Sequence, residues 1–262
     1  MNKRLENRSN IWITGASSGI GEAVVHELAG WGHNLIVTGR RQEALDTLAA
    51  QYPDHIHPAA ADTTSTDALA TIAPELAHFG DLDMVILNAG TCEYLDAQDF
   101  DMALIKRVFD ANLYGTLYCV EAALPLLRAA RKEGGQPLLA ATSSASAYVP
   151  LPRAEAYGGS KAAISYFLES LRLGLDQEGI RVSLIHPGFV KTPLTDLNDF
   201  PMPMRISAEQ AADALLNGLA KGRLDIHFPR RFTYIVKLLG ILPPRLRHTI
   251  GLRMTRSQGE PQ

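Results

Sequence analysis

Seven short apolar runs punctuate the chain: NIWIT (10–14), NLIVT (34–38), HIHPA (55–59), DMVIL (83–87), PLLAAT (137–142), RVSLIHP (181–187) and RLDIHF (223–228). Most lack the strict apolar/polar alternation of a strand with one wet face, so they read as strands covered on both sides. Longer stretches between most of them carry apolar residues at helical spacing, GEAVVHELAGWG (21–32) being the first. Strands that alternate with helices are joined by crossovers and pair in parallel. The pattern predicts an α/β fold: one doubly wound parallel sheet of about seven strands flanked by helices, with an extra helical tail at the C-terminus.

No internal repeat, low-complexity segment or long linker divides the chain, and 262 residues with 46% apolar content suffice for one core. A single domain over 1–262 is expected, with a polar lead over 1–9 and a basic, apolar extension from about 229 to 262. From Lys221 onward nine Lys or Arg residues stand against Asp225 and Glu260, interleaved with YIVKLLGILPP (234–244). Lys237, Pro243 and Pro244 interrupt that run, so it cannot span a bilayer. It can lie on an anionic membrane surface, cover a substrate cleft or pack on another subunit.

Charge and cysteine usage exclude more than they suggest. A net charge of -3, with no basic stripe in the first two hundred residues, argues against nucleic acid as a partner. Cys92 and Cys119 have neither metal-ligand nor redox spacing, which predicts packing thiols in a reducing compartment. The polar MNKRLENRSN and the short IWIT after it form neither a signal peptide nor a span, so a cytoplasmic protein is expected. His55 and His57 alternate on one strand without a carboxylate or cysteine to complete a set, and no metal site is assigned. His186 is expected to bond backbone at its strand end.

TGASSGIG (14–21) follows the first run directly and opens the first helical stretch. Gly15, Gly19 and Gly21 let backbone N–H groups approach a pyrophosphate, whose charge the positive end of the helix dipole favours. Ser17, Ser18 and Ile20 belong to the same turn. This is the fingerprint position of a Rossmann-type dinucleotide fold. The second run ends IVTGRR (36–41), where an NAD-binding chain normally offers a carboxylate to the adenosine ribose. Gly39 stands there instead, and Arg40 and Arg41 offer charge-assisted donors to a 2′-phosphate. NADP(H) is therefore expected in preference to NAD(H).

AYGGSKAAI (156–164) sets Tyr157 and Lys161 one turn apart on one helical face. Gly158 and Gly159 between them weaken the helix and leave room for a ligand or a facing element to approach. Alone the spacing is common; its company is not. T-G-x-x-x-G-x-G at 14–21, NAG at 88–90, ANLYG at 111–115, TSSASAYVPLPRAEAYGGSK at 142–161 and HPGFVKT at 186–192 occur in that order. Together they resemble the short-chain dehydrogenase/reductase family from residue 10 to about 195, with Leu87 standing where the family often has a first asparagine.

The resemblance implies an oxidoreductase that moves a hydride between nicotinamide and a carbonyl or secondary alcohol. It implies Tyr157 as general acid/base and Lys161 as holder of the nicotinamide ribose. An ammonium one turn away is also expected to lower the Tyr157 pKa. By the same resemblance Asn112 kinks its helix and holds a water behind Lys161. Ser143 and Ser144 point to opposite faces in extended backbone, and the family's spacing selects Ser144 as donor to the substrate oxygen. Asp62 falls at the adenine-contact position, Asn88, Ala89 and Gly90 beside the cofactor, and Pro187, Gly188, Val190 and Thr192 near the nicotinamide carboxamide. Family members commonly pair through the helices carrying Asn112 and Tyr157, which implies a homodimer or homotetramer acting on a small apolar carbonyl or alcohol. The rival reading is a sensor or interaction protein that binds NADP(H) without turnover. Such a chain is expected to lose Tyr157 or Lys161, and both are present.

Overall fold

The structure, a computed structural model, describes residues 8–198 and 200–256. Residues 1–7 of the polar lead and 257–262 of the tail lie outside them. The strands are β1 (Asn10–Thr14), β2 (Asn34–Thr38), β3 (Ile56–Pro58), β4 (Met84–Leu87), β5 (Leu138–Thr142), β6 (Arg181–Pro187) and β7 (Asp225–Phe228). They form one seven-stranded sheet in the order β3-β2-β1-β4-β5-β6-β7, every pair parallel. All the apolar runs are strands, and the two that shrink most, β3 and β7, are the edges with a single ladder partner.

The helices are α1 (Gly19–Gly30), α2 (Gln42–Gln51), α3 (Thr66–His78), α4 (Met102–Phe109), α5 (Gly115–Lys132), α6 (Glu155–Gln177), α7 (Ala208–Ala220), α8 (Arg230–Gly240) and α9 (Pro244–Arg256). On one sheet face, Val24 and Leu28 of α1, Leu45 of α2 and Leu215 of α7 pack with Ile11, Ile13 and Val37. On the other, Leu69 of α3, Leu127 of α5 and Leu168 of α6 pack with Trp12, Ile36 and Val85. Successive strand residues point to opposite faces, and both faces are covered, which is why β1 reads as an unbroken apolar run. Each such side chain contributes about 1.5–3 kcal/mol by leaving water. Trp12 is fully buried, and its indole N–H finds an acceptor in Thr38 Oγ1 at 2.9 Å.

Local chemistry sets the helix ends. Ser65 caps α3 by accepting from the Ala68 N–H, Asp101 caps α4 from Ala103, and Ser207 with Gln210 forms a capping box on α7. Between α4 and α5 the chain makes one π turn at Asp110–Tyr114. The expected helical tail is α8 and α9. α8 buries Thr233 and Val236, and with Phe232 and Leu239 it packs on Ala145, Tyr148 and Val149, the turn that follows β5. That approach needs Gly240, where a side chain would overlap the Tyr148 carbonyl oxygen. Among the described residues no helix is long and apolar enough to cross a membrane.

Candidate active site

The sheet order reverses between β1 and β4, and a doubly wound sheet binds its ligand at the C-terminal ends of the strands at such a point. The Thr14 hydroxyl at the end of β1 accepts the N–H groups of Asn88 at 3.1 Å and Ala89 at 3.2 Å, clamping the loop after β4 onto the glycine turn. Gly15 and Gly19 have φ of +66° and +60°, the left-handed region that only glycine enters without strain. Ser18 caps α1 without a side-chain hydrogen bond, so the N–H groups of Gly19, Ile20 and Gly21 are left for an anion. A Cβ at Gly21 would overlap the Gly15 carbonyl oxygen, and one at Gly15 would stand 2.8 Å from the Ala89 backbone. The cradle therefore fits a dinucleotide pyrophosphate: bare backbone, uncapped donors and no room for side chains.

Of the other expected cofactor residues, Asp62 follows Ala61, whose N–H donates to the Gly39 carbonyl at 3.1 Å. Arg41 donates to the Ser17 carbonyl at 2.8 Å and Arg40 beside it is exposed; a Cβ at Gly39 would lie 3.1 Å from Ser17 Oγ. Thr192 closes the other side, its Cγ2 standing 2.9 Å from where a Gly19 Cβ would be. Pro187 ends β6, Gly188 donates to the Phe228 carbonyl at 2.7 Å, and Val190 is fixed by Thr195 Oγ1 at 2.6 Å. Asp62 Oδ1 accepts from the N–H and hydroxyl of Thr64 at 2.9 and 2.8 Å.

Tyr157 and Lys161 share one face of α6, with Lys161 Nζ 6.0 Å from the Tyr157 ring centre and donating to the Thr142 carbonyl at 3.0 Å. Ser144 lies near enough to the Tyr157 phenol to favour its ionised form, and its Oγ accepts from the Ser146 N–H at 3.1 Å at the head of a 3-10 turn, Ala145–Ala147. Ser143 points the other way, 2.9 Å from the Lys161 carbonyl. Asn112 sits in the π turn and is fully buried: its Oδ1 accepts from the Thr91 N–H at 2.8 Å, and its amide donates to the Thr91 carbonyl and Ser160 Oγ, both at 3.0 Å. It ties the loop after Gly90 to the turn of α6 between Tyr157 and Lys161. Gly90 must be bare, since its Cβ would stand 2.8 Å from Asn112 Oδ1 and 3.1 Å from Lys161 Nζ. Gly158 and Gly159 face the Ser146 carbonyl and the Phe109 ring, where a Cβ would be 3.6 Å from either, so their room is used by neighbouring protein.

The electrostatics reverse one expectation. Burial raises the Tyr157 pKa well above the ordinary phenol value, nearby Cys92 adds to the rise, and the Ser144 side chain opposes it only in part. Burial also lowers Lys161, to about 8. The spacing of the pair promised a Coulombic pull toward phenolate, but Lys161 is buried and Tyr157 half-buried, and the loss of water around each favours its neutral form.

A family model described as short chain dehydrogenase matches residues 9–199. The chain is a short-chain dehydrogenase. It is 34% identical over 235 residues to an uncharacterized oxidoreductase of Myxococcus xanthus, with 88% of this chain and 91% of that protein covered. To 11-beta-hydroxysteroid dehydrogenase 1A of Arabidopsis thaliana it is 31% identical over 255 residues, covering 87% and 71%. Its fold is shared with a short chain dehydrogenase from Burkholderia cenocepacia in complex with NADP (TM-score 0.80, 23% identity, 96% of this chain and 98% of that one). It is shared equally with a 3-ketoacyl-(acyl-carrier-protein) reductase from Brucella melitensis complexed with NADH (TM-score 0.77, 23% identity, 86% and 99%). This short-chain dehydrogenase is an oxidoreductase that acts on alcohols or carbonyls with a nicotinamide cofactor.

Several neighbours of the short-chain dehydrogenase site carried no signal in the sequence. Cys92, expected to be a packing thiol, lies within electrostatic reach of Tyr157 and Lys161, its own pKa pushed up by burial. Tyr94 bonds Asn198 Oδ1 at 3.0 Å, meets Phe200 edge-on at 5.3 Å and carries Arg153 over its ring face at 5.5 Å. Phe189 continues this aromatic wall toward Phe232 of α8, 5.0 Å away. Among the described residues no three His, Cys, Asp or Glu groups are placed to hold a metal ion, and His57 packs edge-on against Phe79.

Behind the site runs a polar network. Asp225 accepts from Tyr148 OH and His186 Nδ1, both at 2.9 Å, and from Lys237 Nζ at 2.6 Å. His186 Nε2 lies 3.0 Å from Ser165 Oγ, which is 2.8 Å from Ser143 Oγ, and both serines reach the Lys161 carbonyl. His186 therefore bonds side chains rather than the backbone expected for it. Ser165, His186 and Asp225 stand in the order of a nucleophilic triad, yet His186 is 2% exposed and Ser165 turns to backbone, so the row serves to join α8, β7, β6 and α6.

Proposed function

We propose that this chain is an NADPH-dependent carbonyl reductase, able to run the reverse oxidation of a secondary alcohol, that takes a small apolar substrate and uses Tyr157 as its general acid/base. The observation that carries the reading is the placing of Ser144 beside the Tyr157 phenol, with Lys161 one turn behind and the glycine cradle alongside. NADPH, when bound, supplies the hydride. Reduction then needs a proton on the carbonyl oxygen, and two hydroxyls stand side by side to receive that oxygen. Ser144 donates a hydrogen bond that stabilises the developing alkoxide, and Tyr157 hands over its phenolic proton. Burial keeps Tyr157 protonated at neutral pH, which suits the reductive direction. The Lys161 ammonium, fixed on the Thr142 carbonyl, favours the phenolate left behind. Asn112 holds α6 against the Thr91 loop, and a water kept at the π turn would return the proton, the role the family resemblance gives it.

A pH profile tests the part given to Lys161. Its pKa of about 8 lies within reach, so as pH rises through that value the ammonium is lost and Tyr157 becomes a poorer acid. The kcat for ketone reduction is expected to decline above about 8; a rate flat to pH 10 overturns that part.

The choice of NADP(H) is supported by Arg40 and Arg41 beside Gly39, with no carboxylate at that place. Replacing both arginines by alanine is expected to raise KM for NADPH at least ~10-fold and to leave KM for NADH nearly unchanged. Equal losses with both cofactors would mean that the arginines serve the fold of the glycine turn instead.

A further inference from the structure

We propose that the outer face of α8 docks on an anionic membrane surface. While Thr233 and Val236 face inward, Tyr234, Ile235 and Leu238 turn outward and are 56%, 50% and 60% exposed, and Ile241 just beyond is 79% exposed. Their spacing places all four on one side of the helix. α8 is thus apolar on two faces, and the fold covers only one of them.

Charge decides what covers the other. Between 226 and 256 the chain holds Arg230, Arg231, Lys237, Arg245, Arg247, Arg253 and Arg256 and no Asp or Glu, in a molecule whose net charge is -3. Lys237 is held by Asp225 and Arg247 donates to the Gly240 carbonyl, whereas Arg230, Arg231, Arg245 and Arg253 are exposed. An apolar stripe with exposed cations before and after it is what an anionic lipid surface attracts and then buries. A second copy of this face would bring arginines against arginines, which disfavours symmetric pairing. With 11 residues against the roughly 20 that a span requires, α8 lies in the interface and does not cross it. Its inner face touches Phe189 and the Gly188 turn, so docking sets the rim of the site beside the lipid. The inference stands independently of the chemistry proposed above.

Full-length protein is sedimented with vesicles of phosphatidylcholine alone and of phosphatidylcholine mixed with phosphatidylglycerol. Binding is expected only with the anionic lipid and is expected to fall at high salt. The pairs Ile235→Glu with Leu238→Glu, and Arg230→Glu with Arg231→Glu, are each expected to weaken it at least ~10-fold. All four residues are exposed, so melting temperature and NADPH binding are expected to stay at the parent values, which separates docking from folding. Absence of sedimentation with anionic vesicles overturns the proposal. So does a lipid-free mass, by light scattering, that drops by half in the Ile235/Leu238 pair, because that face is then an interface between copies of this chain.

Discussion

Tyr157→Phe is expected to bind NADPH as the parent does and to reduce ketones at least ~100-fold more slowly. The substitution removes one oxygen and keeps the ring, so the α6 turn, the position of Lys161 and the Ser144 turn should all persist. What disappears is the proton donor. Ser144 still offers a hydrogen bond to the carbonyl oxygen, and binding still aligns substrate and hydride donor, so a residual rate is expected. Stability should not fall, because the half-buried phenol costs more to dehydrate than a phenyl ring. The measurements are NADPH affinity by fluorescence and kcat against a panel of ketones, aldehydes, quinones and 3-oxoacyl thioesters. Equal turnover in both proteins removes Tyr157 as the acid. Lost NADPH binding would instead place the hydroxyl in the cradle, and no turnover by either protein would favour a sensor.

The strands and the cradle were legible because local physics writes them. A strand covered on both faces must be apolar throughout, and a backbone that meets a pyrophosphate at positive φ must be glycine. Ser144, Tyr157 and Lys161 were legible through the order of motifs, and the structure does bring them together. The sign of the Tyr157 shift was not. Spacing on a helix reveals a Coulombic neighbour, whereas dehydration depends on how α6 lies on the sheet and on Cys92 from a distant loop. The network through Ser143, Ser165, His186, Asp225 and Lys237 was hidden for the same reason. Its members come from the end of β5, where Ser143 follows the last strand residue, and from α6, β6, β7 and α8, and only the strand order places them side by side. In the sequence Asp225 is one of two acids against the basic tail, and nothing there shows that its carboxylate receives three donors.

Gly21→Ala is expected to destabilise the protein by about 1–3 kcal/mol and to weaken NADPH binding at least ~10-fold. Helix propensity alone predicts the opposite, since alanine is better than glycine by roughly 1 kcal/mol in a helix interior and Gly21 lies within α1. The neighbours decide the sign. The added methyl would overlap the Gly15 carbonyl oxygen and stand 2.8 Å from Asn88 Nδ2. Neither can retreat easily. Gly15 is held in the left-handed region against the Ala89 backbone, and Asn88 is fixed through its N–H to Thr14 and its Oδ1 to Thr142. The start of α1 must therefore move away from the turn, carrying with it the N–H groups that would meet the pyrophosphate, so stability and cofactor affinity fall together. Gly174→Ala in α6 supplies the contrast: its Cβ would meet nothing within 4 Å, and there propensity acts unopposed, for a gain of up to ~1 kcal/mol. Thermal melts with and without NADPH compare the two. A Gly21→Ala protein that melts and binds like the parent would show that the helix start can slide freely, and a cradle that slides freely cannot be what positions the cofactor.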